Sequence, residues 1–359
     1  QMVARNRYRK KRMIFNIKTS HLTLVAASVA ALFALTPSAS ADDQIRIVGS
    51  STVYPFSTVV AEHFGRDTNF KTPIVESTGT GGGFKLFCAG VGPDTADVSN
   101  ASRAIKSTEA ELCASNGVNN IIEVKIGYDG ITLANALDAV KFELSTRDIF
   151  LALAKTVPNK DGVMIPNPYT NWSEVNATLP NTKIEVLGPP PTSGTRDAFD
   201  ELAMEGGCKT FNEINALKST DKNAYKAICQ TLREDGAYIE AGENDNLIVQ
   251  KLVANKNALG VFGFSFLDQN ADKVKGSKIN GTDVSFEAIA DGSYPISRPL
   301  FFYVKGEHLK NLPALKPYVE AFISEKSMGA EGYLAERGLI PMPDAERISA
   351  KAIIEAKLK

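Results

Sequence analysis

Three short segments of small hydroxyl residues and glycine each lie between an apolar run and a run with helical character. They are residues 50–52 (Ser-Ser-Thr), 78–83 (Thr-Gly-Thr-Gly-Gly-Gly) and 192–196 (Thr-Ser-Gly-Thr-Arg). Each segment predicts a turn from a short strand into a helix. Repeated alternation of strands and helices is typical of parallel α/β layers, so we expect an α/β fold.

Turns of this composition have two possible roles. The first N–H groups of a helix lack a partner within the helix, and the helix dipole places partial positive charge there, so a tetrahedral oxyanion fits such a turn. Glycine allows close backbone approach, and Ser and Thr add hydroxyl donors. Ser and Thr are also the commonest N-cap residues, so one such turn alone is better explained as a cap. Three turns in one chain favour anion binding.

The first 41 residues predict a signal peptide with some upstream residues. Seven Lys and Arg without an acid precede an apolar run at 22–35, and Ala39, Ser40 and Ala41 fit a signal-peptidase site. We therefore expect an exported, periplasmic chain that begins at residue 42. Its 318 residues suit about two domains.

The predicted mature chain is acidic. Without the seven basic residues of the leader, 33 Lys and Arg stand against 41 Asp and Glu, a net charge of −8. This charge argues against non-specific binding to nucleic acid or to anionic membranes. An anionic ligand would have to be recognised by local donors against the overall field.

Cysteine usage fits an oxidising compartment. Four cysteines allow three connectivities, of which the simplest joins Cys88 to Cys113 and Cys208 to Cys229 and closes two local loops. Four free buried thiols are the alternative. No cysteine pair has the spacing of a zinc site.

The sequence lacks the patterns of common catalytic and nucleotide sites. Only His63 and His308 remain after the leader, and neither is near a nucleophile in sequence. There is no Gly-x-Ser-x-Gly elbow, no Gly-Lys-Ser/Thr ending to the glycine-rich run, and no metal-ligand spacing. We therefore predict no catalytic residue, cofactor or metal, and favour noncovalent capture of a small oxyanion between two lobes.

Two arginines could supply charge to that anion. A guanidinium suits a tetrahedral oxyanion better than a lysine because it can donate two hydrogen bonds. Arg103 follows a predicted strand and is the better choice. Arg196 lies in the third turn, close to Asp197 and Asp200, and pairing with these acids is an equal alternative for it.

Five segments, taken together, resemble the signature segments of the periplasmic phosphate-binding proteins of Pst-type ABC transporters. They are residues 49–56, 79–85, 97–103, 193–199 and 242–246. The resemblance implies a two-lobed type II periplasmic binding protein fold with mixed sheets and two crossover hinge segments. It places residues 42–127 and 267–359 in lobe I and residues 128–266 in lobe II.

The resemblance also implies the ligand and the partners. Inorganic phosphate would be bound and delivered, without chemistry, to a membrane permease and ATPase, by a protein that acts as a monomer and binds no nucleic acid. By motif position, the ligand donors would be Ser51, Thr52, Val53, Thr80, Gly81, Ser193, Gly194 and Thr195.

Two departures from the family pattern concern charge and selectivity. Arg103 stands where the family has an aspartate that accepts the phosphate proton, and residues 189–191 are prolines where it has an arginine. The positive charge that balances the bound phosphate would then come from Arg103. Asp245 and Asp197 are the nearest proton acceptors, and our hypothesis is that Asp245 accepts the proton.

Two other functions stay open at this point. One is a secreted phosphate-binding or oxyanion-binding protein with an adhesive or inhibitory role. The other is an exported phosphohydrolase, which the scarcity of histidine and of metal-ligand clusters disfavours.

Overall fold

One nine-stranded mixed sheet organises residues 44–242 and 244–359, which the computed structural model describes. Its strand order is β2-β1-β3-β13-β4-β10-β8-β9, with β11 paired to β4. Two smaller two-stranded sheets join β12 to β5 and β6 to β7. The strands are β1 Arg46–Gly49, β2 Ile74–Ser77, β3 Val98–Ala101, β4 Ile121–Ala136, β5 Glu143–Leu144, β6 Thr156–Pro158, β7 Met164–Pro166, β8 Val186–Gly188, β9 Tyr238–Glu240, β10 Leu259–Gly263, β11 Val274–Gly276, β12 Lys278–Ile279 and β13 Ser297–Lys305.

Helices connect most of these strands. They are α1 Tyr54–Asp67, α2 Thr80–Phe87, α3 Ser107–Ser115, α4 Thr146–Leu153, α5 Trp172–Val175, α6 Gly194–Phe199, α7 Glu205–Cys208, α8 Asn212–Thr220, α9 Lys222–Cys229, α10 Asp245–Ala254, α11 Phe264–Gln269, α12 Phe286–Ala290, α13 Leu315–Phe322, α14 Glu325–Met328 and α15 Asp344–Lys357. A π-helical turn, Asp200–Met204, joins α6 to α7, and a 3-10 turn, Gly306–Lys310, comes after β13.

Parallel pairs β1–β2 and β1–β3 begin the sheet, and the antiparallel strands β13 and β4 come next. Strands β10, β8 and β9 complete it as a second parallel set. Because the alternation of strands and helices produces these parallel pairs, the predicted α/β class is correct.

Strand β4 carries the sheet from one parallel set to the other. Its first part pairs with β13, and its second part pairs with β10 and β11. The glycines at positions 127 and 130 predict two extended segments, one on each side, but the strand is continuous. It passes through a bulge in which Gly127 has φ +152°, and a Cβ there would lie 2.5 Å from the Ile340 carbonyl oxygen.

The structure differs from the sequence-based prediction at two other places. The glycine-rich run 79–83 is already part of α2 from Thr80 onward, because Gly83 packs the helix directly on β1, where a Cβ would lie 2.5 Å from Gly49 Cα. The strand predicted over 258–266 ends at Gly263, and the aromatic residues after it form α11.

Both predicted disulfides are present. Cys88–Cys113 joins α2 to α3, and Cys208–Cys229 joins α7 to α9, with Cα atoms 4.2 Å and 5.4 Å apart. No free cysteine occurs among residues 44–242 and 244–359. The alternative of four free thiols is therefore wrong.

Some predictions lie outside these findings. The predicted signal peptide falls in residues 1–41, which are not among those described. Within the described part of the chain, no helix is long and apolar enough to cross a membrane. The residues that the structure describes belong to a single compact unit by their contacts, and the assignment of 42–127 with 267–359 to one lobe and 128–266 to the other stays a prediction.

Candidate functional site

The turns at residues 50–52 and 192–196 lie against each other. The hydroxyl of Ser51 donates a hydrogen bond to a carboxylate oxygen of Asp197, and Thr52 Oγ1 donates to the Gly194 carbonyl oxygen at 3.4 Å. A Cβ on Gly194 would lie 2.9 Å from Thr52 Cα and 3.0 Å from the Ser51 carbonyl oxygen. Only glycine permits this approach. The turns come directly after β1 and β8, which belong to the two different parallel sets of the sheet.

The turn at residues 78–83 contacts Ser102, directly after β3, through its Thr80 side chain, and both residues line a cavity with Ser51 and Thr52. Thr80 Oγ1 is 3.0 Å from Ser102 Oγ and accepts a hydrogen bond from the Ser102 N–H at 3.1 Å. Gly79 has φ +71°, and a Cβ on Gly79 or Gly81 would meet no atom within 4 Å. The glycines therefore leave the start of α2 uncovered on the side of the cavity.

Two cavities meet at the first turn. One, of about 180 Å³, has Ser51, Thr52, Thr80, Ser102 and Asp197 among its lining residues. The other, of about 360 Å³, is lined by Ser51 and Thr52 together with Ser193, Gly194, Thr195 and Asp245. The structure thus gathers seven of the ten predicted site residues around Ser51 and Thr52.

The other three predicted residues lie differently. Val53 is fully buried, and its N–H donates to Ser50 Oγ at 3.3 Å. Gly81 and Arg103 line a larger neighbouring cavity of about 540 Å³. Their roles as phosphate ligands stay predictions.

The Arg103 guanidinium is held by a carboxylate. Its Nη1 and Nη2 atoms donate to the two carboxylate oxygens of Glu109 at 2.8 Å and 2.7 Å. Because this pair is bidentate, the positive charge of Arg103 is largely balanced within its own segment. The expectation that Arg103 supplies the main charge to the anion gains no support from this geometry.

Arg196 pairs with an acid, which was the alternative to its binding the anion. The pair is largely buried inside the protein. The Arg196 Nε lies 3.1 Å and 3.0 Å from the Asp200 carboxylate oxygens, and its guanidinium carbon lies 4.9 Å from the centre of the Tyr238 ring. Burial raises the pKa of Asp200 to about 7, although Arg196 opposes that rise. The pair links α6 to the π-helical turn that follows it.

Arg298 is the buried cation that the sequence analysis missed. It lies in β13 with only 8% of its surface exposed. Its Nη2 donates to Thr52 Oγ1 at 2.8 Å, and its Nη1 donates to Glu201 Oε2 at 2.5 Å. The guanidinium therefore lies directly behind the first turn. An arginine that opens a predicted apolar strand, at Arg298-Pro299-Leu300, is the signal that could have indicated it.

Arg298 also faces an acid whose hydrogen-bonding capacity is incompletely used. Its Nε lies 3.5 Å from Asp129 Oδ2, and neither of these two buried atoms has a hydrogen-bond partner within the described residues. Burial raises the pKa of Asp129, while Arg298 opposes that rise. Arg298 thus retains donor capacity at the back of the site.

Asp245 has the properties of a proton acceptor beside the third turn. It is the first residue of α10, it is 8% exposed, and it lines the same cavity as Ser193, Gly194 and Thr195. Burial raises its pKa to about 6, against a smaller opposing effect of the Gly263 N–H. A carboxyl group with this pKa changes charge near the pH at which phosphate itself gains a proton.

The fold and this polar site define a ligand-binding domain. The family model described as the PBP superfamily domain matches residues 34–326. Protein SphX of Synechococcus elongatus is 30% identical over 325 residues, which cover 89% of this chain and 83% of SphX. The phosphate-binding protein PstS of Staphylococcus haemolyticus is 33% identical over 299 residues, 80% of this chain and 79% of PstS.

A solved structure agrees with these relatives. The crystal structure of a possible phosphate binding protein from Planctomyces limnophilus matches with a TM-score of 0.69 and 28% identity, over 88% of this chain and 99% of that one. The chain belongs to the PBP superfamily and, within it, to the family of the PstS and SphX proteins. The resemblance and the type II fold class inferred from the sequence are confirmed.

Proposed function

We propose that this protein binds inorganic phosphate at Ser51 and Thr52, where the two cavities meet. The observation that carries the proposal is the contact of the first and third turns in front of the buried Arg298. Residues of the first and third turns thereby line the two cavities that meet at Ser51 and Thr52, and the Arg298 guanidinium lies behind Thr52. The relatives named PstS are phosphate-binding proteins, which supports the same ligand.

The proposal extends to the fate of the bound phosphate. The protein releases phosphate unchanged to the permease and ATPase of an ABC transporter, acts as an exported periplasmic monomer, and catalyses no reaction of phosphate. The described residues contain no group of three or more His, Cys, Asp or Glu that could hold a metal ion, so phosphate recognition is assigned to protein donors alone.

Isothermal titration of the purified protein with phosphate, arsenate and sulfate tests the ligand. We expect one phosphate per chain and much weaker sulfate binding at pH 7.5. Incubation with a phosphomonoester is expected to release no phosphate. A phosphate titration without heat or thermal shift would contradict the proposal, and turnover of the ester would restore the phosphohydrolase alternative.

Ser193→Ala separates the capping role of the third turn from its ligand role. Ser193 Oγ accepts a hydrogen bond from the Thr195 N–H at 3.2 Å and therefore caps α6. Loss of an N-cap costs about 1 kcal/mol in the free energy of unfolding. We expect that loss by chemical denaturation, together with about tenfold weaker phosphate binding, because a hydroxyl donor worth about 1–1.5 kcal/mol is removed.

Ser285→Ala is the matched control for this cap. Ser285 Oγ accepts from the Ala288 N–H at 3.1 Å and caps α12, and Ser285 does not line either cavity of the proposed site. It is expected to lose similar stability and to keep its phosphate affinity. Equal phosphate affinity in both variants would assign Ser193 to capping alone.

Asp245→Asn tests the proton acceptor. Hydrogen phosphate can donate its proton to the Asp245 carboxylate, whereas sulfate has no proton and would face an unpaired buried acceptor. We expect the preference for phosphate over sulfate at pH 7.5 to fall at least tenfold in the variant, as measured by competitive titration. The exposed Asp268→Asn is the control and is expected to keep the preference.

The same carboxyl predicts a pH dependence in the unsubstituted protein. Because the folded pKa of Asp245 is raised from 3.8 to about 6, its charged form destabilises the free protein progressively as pH rises from about 4 to above 6. Below pH 6 the carboxyl is mostly protonated, and its O–H can donate to a sulfate oxygen, so the preference for phosphate over sulfate is expected to decrease. A preference that stays constant between pH 7.5 and pH 5 would exclude Asp245 as the acceptor.

A further inference from the structure

A basic cavity lies beside the proposed phosphate site. It has a volume of about 540 Å³, and four exposed lysines line it from two separate parts of the chain. Lys106 precedes α3, whereas the other three belong to α8 and α9. We call these residues the lysine cluster: Lys106, Lys218, Lys222 and Lys226.

The charge of the lysine cluster is not balanced locally. Within the described residues, no carboxylate lies within ion-pair distance of any of these four ammonium groups. Of the acids that line the cavity, Glu201 pairs with Arg298, and Glu205 accepts a hydrogen bond from the Gln230 side chain at 2.5 Å. The cavity therefore keeps a net positive charge in a chain that is acidic overall.

The positive groups of this cavity are close enough to repel one another. The pKa of Lys106 is lowered chiefly by Arg103, with further contributions from its burial and from Lys222 and Lys218. Lys222 and Lys226 are four residues apart within α9, a spacing at which like charges destabilise a helix. The Cys208–Cys229 disulfide fixes α9, which carries two of these lysines, to α7. Such an arrangement disfavours the free protein unless an anion enters.

The basic cavity is continuous with the 180 Å³ cavity of the proposed site. Both are lined by Gly79, Thr80 and Ser102, and both include Lys226 and Gln230. A ligand that begins at Thr52 and passes Thr80 therefore reaches the lysine cluster along a polar lining, which also carries the acids Asp197, Asp200 and Glu201.

The lining also limits the chemistry of such a ligand. Among the described residues that line it, Leu202 and Tyr225 are the only large apolar or aromatic side chains, and the Tyr225 ring is itself buried. A nucleotide base would find little surface on which to stack. The lining matches a ligand that carries negative charge along its whole length.

We propose that the lysine cluster binds the additional phosphoryl groups of a linear condensed phosphate whose terminal phosphoryl group occupies the site at Ser51 and Thr52. This inference rests on the proposed phosphate function. It adds a second ligand class, inorganic polyphosphate chains of about three phosphoryl groups, to orthophosphate. Binding is noncovalent, and no bond of the ligand is broken.

Tripolyphosphate is the probe, titrated in metal-free buffer at pH 7.5 alongside orthophosphate. The test variant is Lys106→Gln/Lys218→Gln/Lys222→Gln, because these three lysines line the basic cavity and neither of the two cavities at the first turn. The control is Lys183→Gln/Lys251→Gln/Lys310→Gln, which neutralises three exposed lysines that line none of these cavities.

We expect the test variant to bind tripolyphosphate at least tenfold more weakly, with a shallower salt dependence, and to bind orthophosphate within threefold of the original affinity. The control is expected to bind both ligands normally. Orthophosphate binding without tripolyphosphate binding would overturn this inference alone. An equal loss of both ligands in the test variant would also overturn it, since the lysines would then serve orthophosphate. If neither ligand binds the unsubstituted protein, the proposed function itself fails.

Discussion

Arg298→Gln is expected to weaken phosphate binding by about 100-fold to 1000-fold. Truncation of one partner of a buried, hydrogen-bonded charge pair costs roughly 2–5 kcal/mol of binding free energy, and each 1.4 kcal/mol is a factor of ten in affinity, so the expected loss corresponds to about 3–4 kcal/mol. The guanidinium donates to Thr52 and to Glu201, and its Nε faces Asp129. Without it, Glu201 and Asp129 would repel the incoming anion, and Thr52 would lose the donor that orients its hydroxyl. Isothermal titration with phosphate measures the effect.

Arg347→Gln is the matched control. Arg347 lies in α15 and is as deeply buried, at 6% exposure. It pairs with Glu325 of α14 and Asp344 of α15. Both substitutions are expected to lower the melting temperature, but only Arg298→Gln should reduce phosphate affinity. If Arg298→Gln binds phosphate within threefold of the original affinity while Arg103→Gln does not, Arg103 supplies the charge as the sequence suggested.

The two arginines show which part of the site local sequence can predict. Arg103 attracts notice because it ends a recognisable motif, yet Glu109, six residues later, holds both of its nitrogens. Arg298 lies 246 residues from Thr52 in the sequence. It reaches the first turn only because β13 pairs with β4 in the middle of the sheet, opposite Asp129. A contact of that range depends on the sheet order, which no local pattern encodes.

Features with a local physical cause were predicted well. The turns are fixed by glycine and hydroxyl chemistry. The early acids in residues 107–115 predict a helix there, and α3 has these bounds. The disulfides join cysteines that are near in sequence. The path of β4 was predicted less well, because Gly127 and Gly130 indicate a break in isolation, and the strand continues only through its long partners β13 and β10.

The division of the predicted phosphate-binding residues between two cavities could not be predicted from local sequence either. The motif order along the chain indicates that separate segments contribute donors, but not how closely they approach. That approach is set by the absence of a side chain at Gly194, which brings the third turn against the backbone of the first. The contact is therefore a feature that a single substitution can remove.

Gly194→Val is expected to weaken phosphate binding by about 10-fold to 100-fold. A Cβ at this position already lies 2.9 Å from Thr52 Cα, and the two further methyl groups of valine would extend the overlap into backbone that cannot rotate away. Overpacking by a few methyl groups costs roughly 1–3 kcal/mol. Because the overlap is between two turns, the folded chain can relieve it by separating them. Separation moves the Ser193 to Thr195 donors away from Ser51 and Thr52, so the cost appears as lost phosphate affinity.

Gly92→Val is the matched control, because a Cβ on Gly92 meets no atom within 4 Å. It is expected to bind phosphate normally. Gly194→Ala should give an intermediate loss of affinity, with the far-ultraviolet circular dichroism of all three variants unchanged. The graded series distinguishes a steric effect on turn contact from general destabilisation, since only the former scales with side-chain volume at position 194. Full phosphate affinity in Gly194→Val would mean that phosphate is bound without the first and third turns in contact, and that the donors of one turn suffice.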